Sequence, residues 1–236
     1  MSIAILLGVI GAWTIVVWRD YRRSGYRLGV YFALRAMWLF CKLFHGVRPR
    51  GPDPLPRHGP AILISNHTSP ADPFFLQCAS RRLILFLMAR EYYDIKFLRP
   101  IFDLGETILV NRTGRDTAAM KATLRALRQG RVIGIFPEGG IHLDPHTLGD
   151  AKPGAALLAL LTRAPVIPAL IDRRRHTNQI LHGILQPAPT RVFFGKPIDL
   201  RPYFGKEHDD DTLDEVTSLM MTSIDRLRPN RGNTNP

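Results

Sequence analysis

Cysteine is scarce in this chain. Its 236 residues hold two, Cys41 and Cys78, both in apolar surroundings, which argues against a disulfide framework and for buried thiols in a reducing compartment. No CxxC or other clustered spacing points to zinc. His142 and His146 stand four residues apart, but Pro145 breaks the helix that would align them and no third ligand is evident, so no metal is expected. The chain has no internal repeat. It also has no Gly-x-Ser-x-Gly, which argues against a nucleophilic serine on a strand-to-helix elbow. Acidic side chains are few, with 20 Asp and Glu against 32 Lys and Arg and a net charge of +12. An excess of that size suits nucleic acid or anionic lipid. No recognised nucleic-acid motif accompanies it, so nucleic acid is not the expected partner.

The N-terminus favours lipid. Residues Ile3 to Trp18 are uncharged and almost wholly apolar, and Arg19, Arg22, Arg23 and Arg27 follow at once. The run is shorter than the about 20 residues of a perpendicular span. It lacks the basic start and small-x-small site of a cleaved signal peptide. A short membrane anchor fits, whether spanning or interfacial, with its arginines keeping the rest of the chain on the cytoplasmic side. Tyr26 to Phe44 is a second apolar segment. Arg27, Arg35 and Lys42 recur at seven or eight residues and so share one helical face of it, and the segment also offers Tyr31, Leu34, Trp38 and Cys41, with Phe32, Leu39 and Leu43. Such a helix either lies in the headgroup layer or packs onto its own domain. Membrane lipids are the expected partner of residues 1–45. The organisation expected is 1–48 as membrane-associating helices, 49–227 as a catalytic domain after a proline-rich hinge at Arg48–Pro54, and 228–236 as a disordered tail.

Beyond the hinge, strand and helix signals alternate. Strands are predicted at Ala61–Ile64, Leu83–Met88, Thr107–Val110, Val132–Phe136, Val166–Ile171 and Val192–Phe194. Helices are predicted at Pro73–Ala79, Glu91–Phe102, Asp116–Leu127, Ala151–Leu161 and Thr212–Leu227. The fold class is therefore α/β: a central, mostly parallel sheet flanked by helices, with an N-terminal two-helix membrane-associating appendage. Sites in such folds form where loops leave the strand ends on one side. His67, Asn111-Arg112 and Pro137–Gly140 each follow a strand and could share that side.

His67 and Asp72 lie five positions apart, directly after the apolar run Ala61–Ile64. A neutral imidazole takes a proton near neutral pH, and a carboxylate beside it orients the ring and stabilises its charged form. Capping is the alternative: Ser69-Pro70 and Asp72-Pro73 each resemble an N-cap followed by proline at the first helical position. The pair can meet only if the loop folds back.

Four segments, in order, resemble the glycerolipid acyltransferase superfamily, and within it the 1-acylglycerol-3-phosphate O-acyltransferase (lysophosphatidate acyltransferase) family. They are Asn66-His67 through Asp72, similar to a His-x4-Asp motif; Gly105 through Asn111-Arg112; Phe136-Pro137-Glu138-Gly139; and Val166-Ile167-Pro168-Ala169, approached by Lys152-Pro153-Gly154. The resemblance implies transfer of a fatty acyl group from acyl-CoA or acyl-carrier protein to the hydroxyl of lysophosphatidate, without a cofactor, giving phosphatidate in phospholipid biosynthesis. It implies His67 as general base and Asp72 as its orienting partner, Arg112 on the acceptor phosphate, and Glu138 in acceptor binding. Gly139 and Gly140 would allow close approach or offer N–H groups. Lys152 and Arg173–Arg175 would be further phosphate or membrane contacts. From the residues alone, Arg112 could equally pair with Asp116, Glu138 could sit in a plain strand-end turn, and the arginine run could be a solvated edge. The family commonly continues Phe-Pro-Glu-Gly with Thr-Arg, where this chain has Gly140-Ile141, and the Gly-to-Arg spacing in the second segment is about one residue long. Both leave the acceptor open among lysophosphatidate, another lysophospholipid, a lyso-aminolipid and glycerol 3-phosphate. A non-enzymatic lipid-binding module is the other alternative. An acyl chain would need an apolar groove, expected along Phe74, Phe75, Leu85 or Phe97.

Overall fold

A computed structural model of the chain describes residues 16–22, 25–96, 99–111 and 116–229. Residues 16–22 are helical. Then follow α1 (Leu28–Phe44), β1 (Arg48–Arg50), β2 (Ala61–Ser65), α2 (Asp72–Ala79), β3 (Ile84–Ala89), α3 (Arg90–Tyr93), α4 (Arg99–Leu104) and β4 (Ile108–Val110). The second half holds α5 (Thr117–Arg128), β5 (Val132–Ile135), α6 (Gly154–Thr162), β6 (Val166–Arg173), α7 (Ile180–Leu185), β7 (Thr190–Phe194), a 3-10 turn at Arg201–Tyr203 and α8 (Asp210–Asp225).

The strands form one seven-stranded sheet in the order β1-β7-β6-β2-β5-β3-β4. β2 through β6 are mutually parallel, β7 runs antiparallel to β6, and β1 runs parallel to β7. The loops after β2, β4, β5 and β6 therefore leave the sheet at one end, as the alternation predicted.

β2 is buried at all five positions because both faces of the sheet are covered. Its side chains alternate. Ile62 and Ile64 pack with Leu127, Ala156, Val216 and Ile224 from α5, α6 and α8. Ala61 and Leu63 pack on the other side with Cys41, Phe75 and Leu76 from α1 and α2.

The N-terminal segment departs from the expected organisation. Cys41 is fully buried, Tyr31 nearly so, and Val47 joins the core, so one face of α1 packs on the sheet domain. Arg48–Arg50 is no hinge but the edge strand β1, paired to β7 from Arg48↔Arg191 to Arg50↔Phe193. Asp53 then straps the segment down by accepting from Leu55 N and from Arg81 N. A short Pro-rich strand at a sheet edge carries no hydrophobic alternation, which hid it. The apolar run before Val16 lies outside the described residues. Among the described residues no helix is long and apolar enough to cross a membrane.

The helix expected over Glu91–Phe102 is two short ones. Pro100 has no N–H for an interior turn and sits instead in the first turn of α4. α7 lies in a stretch with no prediction. Residues 230–236 of the expected tail lie outside the described residues, while Arg228 donates to the Pro145 and Thr147 carbonyls.

Candidate active site

The loop after β2 folds back on itself. Asp72 is the first residue of α2, not its cap; Ala71 holds the cap position without a side-chain bond. The Asp72 carboxylate turns toward the preceding loop and is fully buried. It accepts from the backbone N–H of Thr68 and of Ser69 (2.8 Å), from Thr68 Oγ1 (3.2 Å) and from His67 Nδ1 (3.0 Å). The positive end of α2 favours a carboxylate there. Because a carboxylate can only accept, Nδ1 carries the proton and Nε2 presents a lone pair. The arrangement can take a proton at Nε2 while Asp72 balances the charge.

Three further contacts hold the loop. Asn66 exchanges two hydrogen bonds with the Ile171 backbone (2.8 and 3.0 Å), extending the pairing of β2 with β6. Arg173, buried and with its pKa lowered by burial, donates to Ser69 Oγ at 2.8 Å and to the carbonyl of Gln186. Of the arginine run, Arg173 is thus internal, whereas Arg174 and Arg175 are exposed. Glu138 accepts from His67 N (2.9 Å) and from Gly149 N (2.8 Å), so its two oxygens join the histidine loop to the loop before α6.

The His67 ring lies on Phe136, with centroids 4.0 Å apart and planes 12° apart, and Phe136 stacks in turn on Phe86 at 5.8 Å and 13°. Gly134 makes room for this column. A Cβ there would lie 2.4 Å from Phe86 Cε1 and 2.8 Å from Ile84 Cγ2. Gly134→Ala is expected to displace Phe86, cost about 1–3 kcal/mol of stability and lower whatever turnover His67 supports. A thermal melt and an activity assay check this; wild-type values in both would remove the column from the account.

His67 lines an apolar groove of about 960 Å³ bounded by α1, α2, β3 and α6. Phe74 lines it. Phe75 and Leu85 do not: Phe75 is buried against His45 and Arg173, and Leu85 lies in the core on the opposite face of the sheet. Phe97 lies outside the described residues, as does Arg112. Beside it, Asn111 lines the groove, and its N–H donates to Asp116 at 2.7 Å. Gly139 and Gly140 also line the groove. The Gly139 N–H is committed to the Phe136 carbonyl at 3.0 Å, and its φ of 66° suits glycine. Gly140 N–H has no partner among the described residues. The Lys152 side chain crosses this turn, its Nζ 3.3 Å from where a Gly139 Cβ would stand. His142 Nε2 bonds to Thr147 Oγ1, and among the described residues no three His, Cys, Asp or Glu side chains group as metal ligands. The structure therefore gathers His67, Asp72, Glu138, Gly139, Gly140 and Lys152 around one end of the sheet.

The acyltransferase family profile matches residues 46–172. A probable 1-acyl-sn-glycerol-3-phosphate acyltransferase of Mycoplasma genitalium is 28% identical over 182 residues, covering 71% of this chain and 66% of that protein. A 1-acyl-sn-glycerol-3-phosphate acyltransferase of Limnanthes douglasii is 27% identical over 159 residues, covering 66% of this chain and 53% of that protein. The chain thus spans between about half and two thirds of the length of these relatives. The crystal structure of the 1-acyl-sn-glycerophosphate (LPA) acyltransferase PlsC from Thermotoga maritima shares the fold, with a TM-score of 0.61, 18% identity, and coverage of 96% of this chain and 98% of that one.

Proposed function

The chain belongs to the acyltransferase family, and from that premise we propose that it moves a fatty acyl group from acyl-CoA or acyl-carrier protein to the free hydroxyl of lysophosphatidate, giving phosphatidate. The observation that carries this reading is the His67 Nδ1–Asp72 contact of 3.0 Å on a residue that lines a long apolar groove. His67 Nε2 takes the hydroxyl proton as the oxygen attacks the thioester carbonyl. The C–O bond forms, the C–S bond breaks, and the proton passes from His67 to the leaving thiolate. A thioester is already activated, so no enzyme nucleophile is required, and neither cysteine lines the groove. The groove takes the acyl chain. Glu138 acts by bracing the His67 backbone.

Acceptor recognition rests on cations. No side chain projects from Gly140, and Ile141 is apolar, so Lys152 is the cation beside this turn among the described residues; Arg112, which lies outside them, is the further candidate from the sequence. Lys152→Gln is expected to raise KM for lysophosphatidate about 10- to 100-fold, the worth of a charge-assisted hydrogen bond, with kcat little changed. An acceptor panel at fixed donor, read by lipid mass spectrometry, tests the whole reading. Preference for a phosphate-free acceptor would replace lysophosphatidate by a lyso-aminolipid or another lysophospholipid. Lipid binding with no transfer to any acceptor would reduce the protein to a lipid-binding module. This reading places residues 1–45 against membrane lipid and the catalytic domain on the cytoplasmic side, following the arginines after Trp18.

A further inference from the structure

The proton transfer at His67 leaves one buried charge unused. Arg173 is the last residue of β6, where its backbone pairs with Thr190 of β7, and it is 3% exposed. Taking a guanidinium out of water is costly unless a carboxylate pairs with it or hydrogen bonds replace the water. No described carboxylate bonds to Arg173. Its Nη1 donates to Ser69 Oγ at 2.8 Å, and its Nη2 donates to the carbonyls of Gln186 at 3.0 Å and Gly183 at 3.4 Å. The guanidinium lies over the Phe75 ring, with Cζ 5.2 Å from the centroid. Its Nε is buried and has no partner among the described residues. The fork is therefore held on two targets at once, and one N–H goes unpaired to keep it there.

Both targets bear on the base. Ser69 closes the loop that carries the pair. Its N–H donates to the Asp72 carboxylate at 2.8 Å, and its carbonyl accepts from Asp72 N at 3.0 Å. Its Oγ also accepts from Ala71 N, but only at 3.3 Å, so the Arg173 bond is the shorter hold on this hydroxyl. The other target is the end of α7, where the last carbonyls have no partner within the helix. Ile180 and Ile184 of α7 line the groove. Gly183 lies against the loop so closely that a Cβ would come 2.7 Å from Ser69 Oγ. His45, at the end of α1, donates from Nε2 to the Ile184 carbonyl at 2.9 Å and fixes α7 from another side.

We propose that Arg173 is a positioning residue for acyl transfer: with one end on Ser69 and the other on α7, it holds the His67–Asp72 pair in register with the wall of the groove. The proposal rests on the acyl-transfer reading. Arg173 touches neither substrate nor the reacting atoms. The acceptor oxygen, activated at His67, and the acyl carbonyl must meet within about 3–3.5 Å. They come to that point from different elements, the loop after β2 and the groove wall that includes α7, and Arg173 donates to both. Its place at the end of β6, between β2 and β7 in the sheet, gives the tie a rigid base. Arginine suits the task because its planar fork spans two targets, where the single ammonium of lysine serves one.

The test uses the full chain. Ser69→Ala removes the loop end of the tie and leaves Arg173 on α7, so the fold should hold. Its kcat is expected to fall about tenfold, the low end of a hydrogen bond to a charged group, with KM for donor and acceptor within about twofold of wild type, as for a group that acts only in the transition state. Arg173→Gln breaks both ends, and its kcat should fall about 10²-fold, the scale of a 1 Å misplacement at the reacting atoms. The double variant should be no slower than Arg173→Gln, because both changes break one tie. Arg173→Lys should recover little. A readout without turnover is the downfield proton resonance of His67 Nδ1–H on Asp72, identified by its loss in His67→Gln; it should broaden or vanish in Ser69→Ala and in Arg173→Gln. Wild-type kcat or an unchanged resonance in Ser69→Ala overturns the proposal, even if Arg173→Gln fails to fold. So does full activity in Arg173→Lys, or a double variant in which the two losses multiply. If no acceptor is acylated but the resonance is lost in both single variants, the tie stands and the acyl-transfer reading falls; acylation at wild-type kcat in both, with the resonance intact, gives the reverse.

Discussion

His67→Ala is expected to lower kcat for acyl transfer by about 10²–10⁴-fold, the span that a positioned general base contributes. The fold should survive, because Asp72 keeps the Thr68 and Ser69 N–H groups and the Thr68 hydroxyl when the imidazole is gone. His67→Gln sharpens the test. Its amide can still donate to Asp72 but accepts no proton near neutral pH, so it should be as inactive as alanine while holding the loop. Thioester consumption followed by thiol release, together with a thermal melt, measures both quantities. Turnover within threefold of wild type in either variant would sink the base assignment, whatever the acceptor proves to be.

Asp72 should combine a stability defect with a catalytic one. Asp72→Ala leaves the buried N–H groups of Thr68 and Ser69 without an acceptor, each costing about 1–3 kcal/mol. At about 2–4 °C per kcal/mol for a domain of this size, the melting temperature should fall by about 4–24 °C. Activity should fall about as far as in His67→Ala, since nothing then orients the ring. Asp72→Asn separates the two effects. The carboxylate oxygen that takes both loop N–H groups also takes His67 Nδ1, and the other oxygen faces Thr68 Oγ1. An amide oxygen in the first position can therefore still accept from all three, with its NH₂ toward the Thr68 hydroxyl, but it carries no charge to balance an imidazolium. The asparagine variant is therefore expected to melt much closer to wild type than the alanine variant and yet to lose activity. If it kept wild-type activity, Asp72 would be a loop brace whose charge has no part in the proton transfer.

Both predictions depend on a loop whose parts were legible separately. Ala61–Ile64 announces a buried strand because four consecutive apolar residues satisfy a sheet covered on both faces, and His67 five residues before Asp72 announces a reactive pair. The same stretch misled where Ser69-Pro70 and Asp72-Pro73 looked like caps. Local pattern cannot tell a carboxylate that caps its own helix from one that turns back to two loop N–H groups, because both use the same residue at the same helix start. The Arg48–Pro54 segment was misjudged for a related reason. Its prolines mark a break in helix, and only β7, some 140 residues later, makes three of its residues a strand.

What the sequence by itself determined is the set of residues that repeat with a period or a motif: the strand-helix alternation, the His67–Asp72 spacing and the Phe136–Gly139 turn. These are properties of neighbours along the chain, and periodicity reports them. What only the tertiary structure decided is which distant groups meet. The strand order β1-β7-β6-β2-β5-β3-β4 sets β5 and β6 on either side of β2, which brings Glu138 under the His67 backbone, Phe136 against its ring and Asn66 onto Ile171. It also leaves room beside the catalytic loop for α7, which carries no periodic signal in six residues. Those contacts span from about 70 to more than 100 positions of sequence, and their free energy lies in packing and paired polar groups that no local pattern encodes.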